Sequence, residues 1–227
     1  MTDEFRDDFG RTYLFYAASN GNLSICKSLI EKDADLNIQD NFGNTPIFAA
    51  IENAHFEICK LIIQDFSENK KCKLDMKNRY LKTPLHLASR LGLLEFCKLL
   101  VENTNISLNE TDVFGFTPLH DAVHNGRINV AKYLIQKGSD VNFQTHLGNT
   151  PMHLAVQKNN LEMCNFLSNN ETINLDIKNL LGHTSLDIAR KSNFLDIYSL
   201  LLTKKNNGIG NEKTSNSMLN RFFLYFF

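Results

Sequence analysis

Seven histidines and five cysteines are the residues of this 227-residue chain that could do chemistry. His120 and His124 stand four apart, so on a helix they would share a face and could hold a metal ion. No third ligand follows them at a spacing known for zinc, and there is no Cys-x-x-Cys pair. A nucleophile turn of the Gly-x-Ser-x-Gly type and a glycine-rich phosphate loop are both missing. The carboxylates are scattered and form no pair suited to acid–base work. The expectation is therefore a protein without catalytic residues, metal or cofactor.

The same residues recur with a period, and the period shows what positions them. Thr83-Pro84-Leu85-His86 is repeated as Thr117-Pro118-Leu119-His120, with close copies at Thr45-Pro46-Ile47-Phe48 and Thr150-Pro151-Met152-His153. Weaker copies begin at Thr12 and Thr184, and successive threonines are 33, 38, 34, 33 and 34 residues apart. All four prolines follow one of these threonines. Thr as N-cap and Pro as first helical residue is a helix start: the hydroxyl accepts a free amide, and Pro has none to leave unpaired. Five residues after each Thr stands an alanine (Ala17, Ala50, Ala88, Ala122, Ala155, Ala189), which predicts helices too close for a larger side chain. A second helix follows, as over 129–137, and a glycine turn precedes each Thr: Gly10, Gly43, Gly115, Gly148 and Gly182. In the third copy Leu81 replaces that glycine and is expected to distort the turn.

This motif and period resemble the ankyrin-repeat family over about 195 residues. The resemblance implies an all-α ankyrin-repeat solenoid of six β-turn/helix-turn-helix repeats, starting near 7, 40, 78, 112, 145 and 179, within a domain of residues 7–202. Residues 1–6 form an N-terminal segment, and 203–227 read as a flexible tail with an aromatic end, Met218 to Phe227. That end could pack on repeat six, meet a partner or membrane surface, or be a hydrophobic segment cut short. Repeat six carries Ser185, Asp187, Arg190 and Lys191, which fits a polar end cap, while Tyr13, Phe15 and Tyr16 make repeat one an apolar end. The 38-residue spacing places an inserted loop at Asp65–Lys73, with Lys70, Lys71 and Lys73 as possible partner contacts. The family's use of the Thr-Pro-Leu-His histidine in hydrogen bonding removes His86, His120 and His153 from any metal set.

Cys26, Cys59, Cys97 and Cys164 each lie 14 residues after a repeat threonine and are expected as buried, reduced thiols. Cys72 falls in the inserted segment and is expected at the surface. Free thiols point to a reducing compartment, cytoplasmic or nuclear. A net charge of -1 and pI near 6.6 argue against a nucleic-acid binder. The acidic N-terminus lacks a signal-peptide core, and no apolar run reaches the ~20 residues of a membrane helix.

By the same resemblance, a monomeric scaffold would bind a protein partner on its concave face, through residues just before each Thr and at the end of each first helix. Those positions include Tyr80, Arg90, Leu91, Val113, Phe114, Phe116, His124 and His146, which form the candidate site. The residue three before Thr is apolar in every repeat (Phe9, Phe42, Tyr80, Phe114, Leu147, Leu181), which favours finger-to-finger packing for Phe114. Val113 and Phe116 stand in mostly polar columns and favour recognition. Leu134 with Asp140-Val141-Asn142 is similar to the asparagine-hydroxylation pattern of some ankyrin repeats, although Asn142 is expected simply to bond its turn. The alternative class is the regulatory ankyrin portion of a membrane enzyme such as a palmitoyltransferase, or a proteasome- or kinase-linked regulator.

Overall fold

The computed structural model describes residues 5–69 and 72–209. These form twelve helices and no strand: α1 Tyr13–Ser19, α2 Leu23–Glu31, α3 Pro46–Glu52, α4 Phe56–Asn69, α5 Pro84–Leu91, α6 Leu94–Asn103, α7 Pro118–His124, α8 Ile128–Gln136, α9 Pro151–Gln157, α10 Leu161–Ser168, α11 Ser185–Lys191 and α12 Leu195–Ile209. Each odd-numbered helix pairs with the even one that follows, and the pairs stack in order. The odd helices touch the odd helices of neighbouring repeats, and the even helices form a second row. No pair could bury its apolar stripe alone, so the core is one continuous slab shared between repeats.

The alanine column lies where the first helices approach and is buried in every repeat, and Cys26, Cys59, Cys97 and Cys164 are buried behind it. Burial pushes the Cys26 thiol up to about 11 and those of Cys97 and Cys164 to about 12, so these sulfurs stay protonated. All five cysteines are buried and none is in a disulfide.

The histidines following Thr-Pro-Leu and Thr-Pro-Met tie one repeat to the next. His86 Nδ1 accepts from the Thr83 amide at 3.1 Å, which leaves the proton on Nε2. Nε2 then donates to the Phe116 carbonyl of the next repeat at 3.0 Å. His120 does the same toward Asn149 at 3.3 Å, and His153 toward His183 at 3.0 Å. Burial pushes His86 and His120 down to about 4, as a neutral ring in a dry site requires. Repeat six substitutes Asp187, whose carboxylate accepts from the Thr184 amide and hydroxyl. Repeat two has Phe48 there, and the buried Thr45 hydroxyl has no partner.

Several expectations change. The Asp65–Lys73 insertion is not a loop throughout: α4 continues to Asn69, since Gln64 to Asn69 contains no Gly or Pro to stop it. Lys70 and Lys71 lie outside the described residues. Cys72 is buried, with Leu74 beside it in sequence also buried, and the Lys73 amide donates to Asn37 of the previous repeat at 2.7 Å. The helix of repeat six runs seven residues past Leu202 to Ile209, with Lys204 bonded to Asn169 and Lys205 to Asp176 of repeat five's side of the stack. Met218 to Phe227 lies outside the described residues. Repeat six is also less polar an end than expected, because Leu180, Leu181 and Leu195 are exposed. At the other end Phe5 stacks on Tyr13 with ring centroids 4.4 Å apart, and Tyr16 Oη donates to Asp7 at 2.6 Å.

Candidate protein-binding surface

Each finger is built by one polar side chain at its base. Asp112 Oδ1 accepts from the amides of Phe114 (2.8 Å) and Phe116 (2.9 Å), while the Asp112 amide donates to the Phe116 carbonyl at 2.9 Å. Asp7, Asp40, Asn78 and Asn179 bond in the same way, and Thr145 uses its hydroxyl toward Asn149. This absorbs several of the scattered carboxylates as turn-formers. Neighbouring fingers are joined amide to carbonyl: Asn41 to Phe9, Arg79 to Phe42, Val113 to Tyr80, His146 to Phe114 and Leu180 to Leu147.

The joint explains the turn glycines. A Cβ at Gly115 would lie 2.6 Å from the His146 amide, and one at Gly43 2.7 Å from that of Arg79. Leu81 nevertheless keeps the same turn at φ 56°, with its amide on the Asn78 carbonyl at 2.8 Å. The finger is therefore not distorted; the leucine takes up the left-handed conformation itself, strain of the order of 1–2 kcal/mol.

The fingers and first helices of repeats two and three line a groove of about 320 Å³. Phe42, Phe48, Tyr80 and Leu87 supply its apolar wall, and Lys82, Arg90 and Glu52 its charged rim. Two of the sequence-derived site residues, Tyr80 and Arg90, meet here; the other six do not line it. Leu91 packs partly into the core. Phe114 is 64% exposed at its fingertip, so the packing expected for it is absent; finger contacts run through backbone and leave the tip side chains outside. Val113 is exposed beside it and His146 on the next finger. Phe116 is the opposite case: half-buried, it packs on the core with its ring 5.6 Å from His120 and 5.9 Å from His124. The ring covers part of both imidazoles and keeps an exposed part. His124 is half-buried with Nδ1 shielded and unbonded, and the described residues contain no cluster that could hold a metal.

Sequence reasoning places Lys82 only among the finger positions just before each Thr and misses its link to Asp121. Lys82 Nζ lies 3.0 Å from Asp112 Oδ2 and 2.7 Å from Asp121 Oδ2, linking the third finger to the fourth repeat. For Asp112 burial acts upward, but the Phe116 and Phe114 amides and Lys82 outweigh it and hold the carboxyl below its ordinary range. For Asp121 burial wins over Lys82, and the group sits above that range. A signal was available: the Asp121 position holds Tyr16, Ala49, Leu87, Leu154 and Ile188 in the other repeats, so a carboxylate there is out of column. Asn142, the hydroxylation candidate, donates to the Thr172 carbonyl at 2.7 Å and accepts from the Asn174 amide at 2.8 Å, tying two repeats.

Comparison with known proteins agrees with this architecture. The model of ankyrin repeats (3 copies) matches residues 2–73, 65–145 and 137–215. The chain is 31% identical over 145 residues to transient receptor potential cation channel subfamily A member 1 of Homo sapiens, covering 63% of this chain and 13% of the channel. It is 28% identical over 171 residues to a putative ankyrin repeat protein of Acanthamoeba polyphaga mimivirus, 74% of this chain and 21% of that protein. It is also 35% identical over 78 residues to 26S proteasome non-ATPase regulatory subunit 10 of Dictyostelium discoideum, 34% of each. The matched regions span at most about a third of these relatives' own lengths. Six finger-and-helix-pair units, the Thr-Pro helix starts and the matched family model together make this chain a member of the ankyrin-repeat family.

Proposed function

We propose that the protein is a non-catalytic interaction module that binds a protein partner on its concave face, centred on the groove between repeats two and three. The observation that carries this reading is the groove itself: exposed Phe42 and Tyr80 beside buried Phe48 and Leu87, with Lys82, Arg90 and Glu52 also lining it. A partner side chain of Phe or Leu size fits about 320 Å³, and partner polar groups would meet a rim offering both signs. Aromatic and Arg side chains around a desolvated pocket are the usual hot spots of protein recognition. This centre lies one repeat nearer the N-terminus than the Tyr80-to-His146 patch read from sequence. Binding as a monomer in the cytoplasm or nucleus belongs to the same proposal.

The test is affinity purification with mass spectrometry of the native protein against a Tyr80→Ala/Arg90→Ala variant. Partners recovered with the native protein should drop at least tenfold with the variant, while helical content is kept. Equal recovery would refute the groove as the binding centre.

A second reading is that these repeats are the regulatory portion of a larger assembly. The match to the human cation channel supports a membrane-linked version, and the Dictyostelium subunit a proteasome-linked one. No helix among the described residues is long and apolar enough to cross a membrane. An antibody to the repeats decides: a product well above 25.9 kDa in the membrane fraction supports the first, and co-sedimentation with 26S particles the second.

A further inference from the structure

Two Asn-Gly pairs stand at the turn that closes a first helix: Asn20-Gly21 after α1 and Asn125-Gly126 after α7. An asparagine before glycine carries its own electrophile and nucleophile. The glycine amide nitrogen can attack the side-chain Cγ and expel ammonia, because glycine has no Cβ to block the approach. Both asparagines start from the same backbone conformation, φ -93° and ψ 0° for Asn20 and φ -97° and ψ 10° for Asn125. From there ψ must rotate before the five-membered ring can close, so the rate depends on what the rotation breaks.

At Asn125 it breaks two bonds. The Gly126 amide donates to the Val123 carbonyl at 3.0 Å, and Asn125 Nδ2 donates to the Asp121 carbonyl at 2.8 Å, holding Cγ against its own helix. Repeat one has neither restraint. Among the described residues no acceptor meets the Gly21 amide and no partner meets the Asn20 side chain, which is exposed. Two typical hydrogen bonds are worth on the order of tenfold or more in such a rate.

The second difference is a base. A Cβ on Gly21 would lie 2.7 Å from His55 Cε1 and 2.9 Å from His55 Nδ1, so this ring of the next repeat lies against the glycine. His55 Nε2 donates to the Ser19 carbonyl at 3.0 Å, which leaves the lone pair of the neutral ring on Nδ1, the nitrogen nearer Gly21. Gly126 has Asn160 Nδ2 at 3.4 Å in that place, and an amide NH2 group accepts no proton.

We infer that Asn20 is a self-modifying site. His55 takes the Gly21 amide proton as the Gly21 nitrogen bonds to Cγ; the Cγ–Nδ2 bond breaks and ammonia leaves with that proton. Water then opens the succinimide to an aspartyl or isoaspartyl residue at position 20. Either product sets a carboxylate at the C-terminal end of α1, where the helix dipole disfavours it. The isoaspartyl form also adds a main-chain carbon between the Asn20-to-Tyr16 and Asn22-to-Ala17 amide bonds that close the turn. The affected seam joins repeats one and two, where His55 and Asn53 both bond to Ser19. The inference does not depend on the groove or on any partner.

The test is incubation of the full chain at pH 7, followed by peptide mapping with electron-transfer fragmentation, which separates aspartyl from isoaspartyl products. Asn20 should convert at least tenfold faster than Asn125 in the folded protein, and the two rates should come within about threefold in urea, where neither pair keeps its hydrogen bonds. Equal rates in the folded protein, or a tenfold difference that survives in urea, would overturn the structural selection. His55→Ala, with its fold checked by circular dichroism, should slow the conversion of Asn20 severalfold, and imidazole added to the buffer should restore it. An unchanged rate in this variant, or a slowed rate that imidazole does not restore, would overturn the role of His55 as the base.

Discussion

Lys82 is the most consequential single side chain in the middle of the stack, and its removal should be costly in a particular way. Its ammonium sits 2.7 Å from a carboxylate, Asp121, that is nearly sealed from water. Breaking a buried pair by deleting one partner costs about 3–5 kcal/mol, because the other charge is left unpaired. With 22% of the Lys82 side chain exposed, the lower end applies, so Lys82→Ala should cost about 3 kcal/mol. Asp121→Leu restores what Leu87 and Leu154 supply in the neighbouring repeats, and Lys82 keeps Asp112 at 3.0 Å, so it should cost under about 1 kcal/mol. The double variant should resemble Asp121→Leu alone, a coupling of about 3 kcal/mol between the two sites. Urea unfolding of the four proteins at pH 7 and pH 5 measures it. Because Asp121 is already above the ordinary carboxylate range, losing Lys82 raises it further, and the deficit of Lys82→Ala should shrink at pH 5. Additive losses at pH 7, or a deficit that grows on acidification, would refute the reasoning.

Acidification of the native protein should be destabilising for a separate reason. The unfolded histidine takes a proton near pH 6.5, whereas folded His86 and His120 refuse it until about 4, so stability falls as pH drops through that window. Each ring accounts for about 3 kcal/mol at the acid end, and a His86→Asn/His120→Asn variant should show a shallower decline in urea midpoint between pH 6.5 and 4. Ala122→Leu places an isobutyl group in the closest helix approach and should cost about 1–3 kcal/mol by thermal unfolding, where a leucine at a fingertip costs almost nothing. The five buried thiols should resist iodoacetamide at pH 8 in the native protein and react fully in 6 M urea; one rapidly alkylated native cysteine would contradict the placement of Cys72.

What could be read in advance were features that repeat. The Thr-Pro starts, the alanine and cysteine columns and the turn glycines are each dictated by one local requirement met in four to six of the repeats, and register alone located them. What escaped depended on how one repeat meets the next. Lys82 and Asp121 are 39 residues apart, and only stacking brings them together. Phe114 and Phe116, two residues apart, look alike in sequence and part company in space: the finger's twist sends one to solvent and turns the other over His120 and His124. Leu81 reads as an obstacle because a left-handed leucine is unfavourable alone, but the Asn78 amide-and-carbonyl frame and the neighbouring finger over-determine its turn. The end of α4 escaped for the converse reason, since a longer spacing says that residues were added and not what shape they take.

The histidine ties are unevenly shared. Repeats three, four and five each reach forward through an imidazole to the next finger, and repeat two, with Phe48, does not. The joint between repeats two and three therefore lacks the imidazole link of the three that follow and keeps the Arg79-to-Phe42 amide bond, the Gln39-to-Lys77 bond and the Asn78-to-Asn44 bond. The groove straddles that same joint, with Phe42 and Phe48 on one bank and Tyr80 and Leu87 on the other. A side chain entering the groove would therefore seat at a joint that carries no imidazole tie, with three tied joints beyond it.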